Sequence, residues 1–408
     1  MIFAQQNGRQ IPKEDKIFGI SSRAKARIAE KGKDNVINGT IGALIDDDGQ
    51  MVVLQSVIKA LKELSPEEFA EYAPIGGTPA FKEAVIRAAF GNRFTTDRVV
   101  RVCATPGGTG AIRNTISNYS CPGDIVLTSD WFWAPYKTIS QEIGRSIDTY
   151  EMFTADGKYN VEALDKKVNE LMDRQGRLVI IINTPAHNPT GYSLTDEDWQ
   201  RVMESLNKAS EKGNIALLAD VAYMDFAGDE EEYRSFLSVL EKAAPGVLPI
   251  IGYSASKTLT LYGMRCGAMI CLAPNEEIAE EFRQVTEFSS RGSWSNCVRA
   301  GQTVLAKVYG NKELMDEVGR EREGFRMMLL QRGKMFEETL RSEGLENVPF
   351  DAGFFTCIAC DNPDEISQKL AEQDIFVVPL AKGIRLSVAS ISEEKCVKAA
   401  KVIARVMK

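Results

Sequence analysis

Short runs of branched apolar residues punctuate the chain: Val99–Thr105, Asp124–Thr128, Leu178–Asn183, Ile215–Asp220, Pro249–Tyr253 and Ala268–Leu272. Runs of this length, bounded by turn-forming residues, read as buried strands. Amphipathic stretches at helical spacing lie between them, so strands alternate with helices, which predicts an α/β fold with a mainly parallel sheet. From about Glu276 to Arg341 the period becomes helical throughout, and three further short strands are expected at Phe354–Cys360, Ile375–Val378 and Ile384–Val388. The first ~55 residues carry little parallel-strand pattern and are expected to pack with the C-terminal unit. In open α/β sheets ligands sit beyond the carboxyl ends of the strands, and here those ends are polar, Gly-rich or Lys-bearing.

Composition narrows the chemistry. The chain has 408 residues, with 49 Lys or Arg against 57 Asp or Glu, for a formal charge of −8. No Lys/Arg block rises above an ordinary solvated helix face, so a nucleic-acid partner is not expected. No apolar run approaches the ~20 residues needed to span a bilayer, and the opening MIFAQQNGRQIPKEDK has no secretory pattern, so no membrane partner is expected. Eight cysteines in a chain of this length form no disulfide framework, and a reducing cytoplasm is the expected compartment. The one Cys-x-x-Cys, Cys357 and Cys360, has no second pair to complete a zinc site and reads as core thiols; no metal site is expected. There is a single histidine, His187. A Ser-His-Asp triad or a His-ligated metal could be built only around it, so another group must carry proton chemistry.

Four segments at strand ends supply candidates. Lys257 follows a buried strand in Tyr253-Ser-Ala-Ser-Lys257, and poor solvation there favours its neutral, nucleophilic amine, able to form a Schiff base with a carbonyl. Ser254, Ser256 and Arg265 nearby offer donors to a phosphate. In Asn183-Thr-Pro-Ala-His187-Asn188-Pro189-Thr190-Gly191 a buried strand enters a tight turn, from which the Asn188 amide can donate to a ring oxygen. Asp220 ends an apolar strand in Asp220-Val-Ala-Tyr223; a carboxylate there must meet a cation or hydrogen-bond donors, or cap a helix. Finally, Thr105-Pro-Gly107-Gly108-Thr109-Gly110 is a glycine-rich strand-to-helix turn whose N–H groups can cradle a phosphate. A dinucleotide fingerprint fails there, because Arg113 occupies its third glycine position even though Asp130 follows at suitable spacing.

Together these segments resemble the pyridoxal-phosphate enzymes of the aspartate aminotransferase superfamily (fold type I), most closely its aspartate and aromatic branch. The resemblance runs over almost the whole chain, through His187–Gly191, Asp220–Tyr223, Leu261-Tyr-Gly-Met-Arg265 and Gly383-Ile-Arg385. It implies a large domain (56–310) with a mainly parallel seven-stranded sheet flanked by helices. It also implies a smaller α+β domain built from both chain ends, with 1–55 as an N-terminal arm and part of that domain, and 311–408 as its remainder. Lys257 then resembles the Schiff-base lysine and proton carrier, and Asp220 the partner of the pyridinium nitrogen. Tyr223 and Asn188 resemble the pair on the ring oxygen. Gly108, Thr109, Ser254 and Arg265 resemble the phosphate grip, and Trp133 the aromatic stacked on the ring. Arg385 resembles the clamp on the substrate α-carboxylate, and Gly42 the small residue beside substrate and lysine. Ile17 and Phe18 resemble the apolar lid. Arg291 resembles the arginine that meets a distal carboxylate from the neighbouring subunit, and Tyr72 the tyrosine reaching the partner's phosphate, which implies a homodimer with shared sites. His187, beside Asn188, becomes a support rather than a catalyst.

Three departures stand out: Gly107 in place of a phosphate-binding serine, Tyr136 in place of a histidine behind the aspartate, and Gly263-Met264 in place of Asn-Glu. The activity implied is transamination between an L-amino acid, aspartate and/or aromatic, and a 2-oxo acid such as 2-oxoglutarate. A lyase or decarboxylase on the same scaffold is the alternative, since the cofactor supplies the carbanion chemistry in each. A non-catalytic ligand sensor is a more distant one.

Overall fold

A computed structural model describes residues 16–91, 95–229 and 232–408; the first part of the expected N-terminal arm, 1–15, lies outside them. The first short strand, β1 (Ile37–Asn38), belongs to a small sheet taken up below. The large sheet comprises β2 (Val99–Pro106), β3 (Ile125–Ser129), β4 (Ser146–Tyr150), β5 (Arg177–Asn183), β6 (Asn214–Asp220), β7 (Val247–Ser254) and β8 (Cys266–Ala273). Their order is β2-β8-β7-β6-β5-β3-β4. All pairings from β7 through β4 are parallel, whereas β8 runs antiparallel to both β7 and β2.

The inner strands were legible because helices cover both faces of the sheet and their sequences are apolar throughout. From Ile215 to Asp220 every residue of β6 is buried, and each Leu or Ile removed from water there stabilises the fold by about 1.5–3 kcal/mol. The edge strand β4 was not among the runs picked out. Its sequence Ser-Ile-Asp-Thr-Tyr is half polar and mostly part-exposed, as an edge allows.

Both chain ends meet in a second core. Strand β1 pairs in parallel with β10 (Ile375–Phe376), while β11 (Val378–Pro379), β12 (Gly383–Ser387) and β9 (Phe355–Ala359) form an antiparallel sheet in the order β11-β12-β9. The expected single strand Ile375–Val378 is therefore two strands in two sheets, separated at Val377. The predicted helical stretch resolves into Glu276–Ser293, Arg299–Gly310 and Lys312–Ser342. The last has 31 residues and spans both cores: Leu314, Val318 and Leu329 pack under the large sheet, Phe336 and Leu340 with β1, β10 and β12. At 1.5 Å per residue it is about 46 Å long. The eight cysteines are all unpaired; Cys357 is buried and Cys360 partly so. Among the described residues no cluster suited to a metal occurs, and no helix is long and apolar enough to cross a membrane.

Candidate active site

The carboxyl ends of β2, β5, β6 and β7 open on one cavity of about 560 Å³, closed on the far side by the Thr40–Ala43 segment, Phe355 and Arg385. Strand β8 contributes because it is reversed: its beginning lies among the other strands' ends, with Cys266 opposite Pro106 and Gly267 opposite Ser254. Arg265, at the last residue before β8, thereby lies beside the glycine turn.

Lys257 sits on the single helical turn Ala255–Thr258. Its Nζ donates to the Gly42 carbonyl at 2.8 Å and lies 4.3 Å from the centre of the Tyr262 ring. Burial, with Arg265 and Arg385 nearby, lowers the amine's pKa to about 7, so a large fraction is neutral at physiological pH.

Asp220 is 5% exposed. Burial raises its pKa to about 6, opposed by hydrogen bonds from Tyr136 and the Ala222 N–H. The Tyr136 hydroxyl donates to Oδ2 at 2.5 Å, and burial pushes the phenol's own pKa well above its usual value, so it remains a donor. Trp133 lines the cavity with its ring edge-on to Tyr136, 5.6 Å between centroids.

Beside them, Asn188 links three groups. Its amide Nδ2 donates to the Tyr223 hydroxyl at 3.3 Å, its Oδ1 accepts from Arg385 at 3.2 Å, and its backbone N–H is held by Asn183 Oδ1 at 2.6 Å. Asn183 also donates to the Asp220 carbonyl at 2.7 Å, locking the ends of β5 and β6 together. Arg385 is 4% exposed, donates to the Thr40 carbonyl at 2.9 Å and lies over the Phe355 ring; its Nε has no partner. A buried guanidinium in a cavity wall suits a carboxylate. His187 is buried, its Nδ1 is 2.8 Å from the Thr190 hydroxyl, and burial lowers its pKa to about 3, which leaves it neutral behind Asn188.

The opposite end of the cavity is built for an anion. Gly107, with φ +69°, starts the helix Gly107–Tyr119, whose first turn carries no acidic residue. Gly107 takes up the positive φ that side chains rarely adopt, and a Cβ there would come within 2.6 Å of the Arg265 guanidinium, so the arginine tip lies directly over the helix N-terminus. Arg265 also donates to Ser256 Oγ at 3.1 Å, and Gly108, Thr109 and Ser254 line the same end.

Lys257, Asp220, Tyr223, Asn188, Trp133, Gly42, Gly108, Thr109, Ser254, Arg265 and Arg385 all line this one cavity, with Ile17 and Phe18 at its mouth. Tyr72 and Arg291 do not. Tyr72 is 88% exposed, and Arg291 donates to its own helix end at Ser295. Residues the sequence reading passed over include Tyr262, whose hydroxyl accepts from the Leu44 N–H at 3.0 Å, and Asn183, Thr40 and Phe355. Tyr262 stands inside the Leu261–Arg265 segment already singled out, but the backbone it holds lies more than two hundred positions away.

Residues 34–403 match the aminotransferase class I and II family. The chain belongs to this family. Its reaction is amino-acid transamination; the relatives do not favour the lyase or decarboxylase alternative. It is 28% identical over 375 residues to an aromatic-amino-acid aminotransferase of Pseudomonas aeruginosa, covering 90% of this chain and 91% of that protein. It is 26% identical over 391 residues to a mitochondrial aspartate aminotransferase of Schizosaccharomyces pombe, covering 93% and 85%. The crystal structure of an aminotransferase from Anaerococcus prevotii superposes with a TM-score of 0.97 at 35% identity, covering all of both chains.

Proposed function

We propose that this aminotransferase uses pyridoxal 5′-phosphate and acts on aspartate and/or aromatic L-amino acids, with a 2-oxo acid such as 2-oxoglutarate as acceptor. The carrying observation is the buried Lys257 amine, with a pKa of about 7, set between an anion cradle, a buried carboxylate and a buried arginine. The donor set fits the cofactor: glycine-turn N–H groups with Thr109, Ser254 and Arg265 for its phosphate, Asn188 and Tyr223 for a ring oxygen, Asp220 for a ring nitrogen, Trp133 for a ring face. Tyr72 of a neighbouring subunit adds to the phosphate grip. Bound there, the cofactor supplies a carbonyl for the lysine and an electron sink for the substrate's Cα.

The chain's own residues then divide the work. Arg385, whose guanidinium lines the cavity, orients the α-carboxylate. Lys257, with a large neutral fraction near pH 7, takes the proton from the substrate's Cα and delivers it to the carbon that was the cofactor's carbonyl, the task a chain with one buried, neutral histidine cannot give to imidazole. Asp220, kept ionised by Tyr136 and the Ala222 N–H, favours a protonated ring nitrogen. Gly42 keeps the space beside the lysine free, since a Cβ there would meet Phe355 at 2.7 Å. Arg291, supplied from a partner, meets a distal carboxylate. The active unit is accordingly a cytoplasmic homodimer with residues 56–310 as the cofactor domain, residues 1–55 and 311–408 as the small domain, and neither nucleic acid nor membrane as partner. Measuring kcat/KM for aspartate, tyrosine and phenylalanine with 2-oxoglutarate tests the substrate class. Half-reaction spectra with an amino acid alone test the cofactor, and a Lys257→Ala protein that transaminates at the parental rate overturns the assignment.

A further inference from the structure

The single turn Ala255–Thr258 that carries Lys257 is too short to hold its own shape, because one turn fixes several dihedrals for one hydrogen bond. Its last residue is braced from outside. The Thr258 hydroxyl donates to Asp225 Oδ2 at 2.5 Å, within the range of a charge-assisted bond. Asp225 belongs to the short turn Met224–Phe226, immediately after Tyr223, and is 5% exposed. Its other oxygen, Oδ1, faces two guanidinium groups, Arg322 at 3.3 Å and Arg234 at 3.4 Å. Both are anchored elsewhere. Arg322 comes from the long helix Lys312–Ser342 and reaches the Tyr309 hydroxyl; Arg234 holds the Ala88 and Ala89 carbonyls at the end of the helix Pro79–Phe90.

Neutralising the arginines would engage Oδ1 alone. The second oxygen is committed to the residue next to the reactive lysine, and the carboxylate sits on the segment that carries Tyr223 and follows Asp220. One buried group thus ties the two catalytic segments to each other and to the scaffold. We propose that Asp225 is a positioning residue, which through the Thr258 hydroxyl sets the Lys257 amine against Asp220 and Tyr223. This rests on Lys257 being the reactive amine. It places a requirement on residues that touch neither the cavity nor any expected ligand.

The test uses the cofactor-loaded enzyme. Thr258→Val removes the hydroxyl while leaving Asp225 with both arginines, and Thr258→Ser restores it. The Val variant is expected to lower kcat about tenfold or more with KM held within about twofold. It should also move the pH midpoint of the cofactor's visible absorbance by about half a unit or more, since that midpoint reports the environment of the lysine nitrogen. The Ser variant should return both to within about twofold of the parent. Asp225→Asn should act in the same direction as Val; where it does not accumulate folded, the Thr258 pair decides. A Val variant with the parental midpoint, whether kcat is unchanged or falls only in step with thermal stability, makes Asp225 a scaffold group and overturns the proposal, as does failure of Ser to restore the midpoint. The underlying assignment is judged separately. If borohydride fixes no cofactor on the parent, or still fixes it on Lys257→Ala, the lysine reading has failed and not the positioning one.

Discussion

The floor of the cavity and its rim are built differently. On the floor, Asp220, Asn188, Tyr223 and Arg385 are each buried; Asn188 bonds both Tyr223 and Arg385, and Asp220 accepts from the Tyr136 hydroxyl and the Ala222 N–H. At the rim, Phe18 is 75% exposed; Tyr72 and Arg291, exposed and outside this chain's own cavity, join a rim only in the proposed dimer. The floor is therefore complete in one chain, and in the proposed dimer it supplies chemistry common to every amino acid. Under the same proposal, the rim is where a second chain and the identity of the substrate enter. Burial gives the floor low dielectric and fixed geometry, which electrostatic catalysis requires. Exposure leaves the rim free to change without disturbing the reaction.

The largest break in that comparison is expected from Lys257→Ala, a loss of about ten-thousand-fold in turnover with every substrate, measured as single-turnover rates. Next, Arg385→Ala removes a buried charged partner of the carboxylate and should lower kcat/KM about a thousandfold, again for all substrates alike. Arg291→Ala, at the rim, should cost about a hundredfold for aspartate and little for phenylalanine. Equal losses for both would dissolve the division between floor and rim.

Tyr136→Phe has a smaller expected effect, about tenfold in kcat. Removing the phenol takes away a hydrogen bond that favours the carboxylate, so the Asp220 pKa should rise above about 6. The acid limb of the kcat profile should then move to higher pH. The smallest effect is one of pH alone. With its pKa near 7, Lys257 of the unloaded protein should react with a carbonyl probe at a rate that climbs through pH 7 and levels above it. A climb centred near 10 would mean a solvated amine.

Part of the floor was legible in the sequence because Asp220 ends an apolar strand and Asn188 and Tyr223 lie in the turns just beyond β5 and β6, where the strand ends of an open parallel sheet converge. Arg385, in the middle of β12 of the antiparallel sheet, was marked only by the resemblance of Gly383-Ile-Arg385. What escaped depended on contacts between distant segments. The ring of Tyr262 matters because its hydroxyl holds Leu44, and nothing local marks that pairing. Asp225 looks like an ordinary turn residue until Thr258, Arg234 and Arg322 arrive from three other parts of the chain. The edge strand Ser146–Tyr150 escaped for the opposite reason: it is paired with a neighbour along one edge only and mostly part-exposed, so its composition is that of a loop. The split at Val377 was hidden because both resulting strands are equally apolar and buried.

The reversal of β8 carries a consequence for how the Lys257 amine and the Arg265 guanidinium came to be neighbours. Lys257 and Arg265 lie on one connection whose ends, Ser254 and Gly267, are directly opposed in adjacent antiparallel strands. That connection is a closed hairpin loop, and its closure entropy is lost when the sheet forms, before any ligand arrives. Ligand binding then does not have to bring the amine and the guanidinium together, and Gly263, in open space near the Arg265 end of the loop, can vary while Lys257 and Arg265 stay pinned.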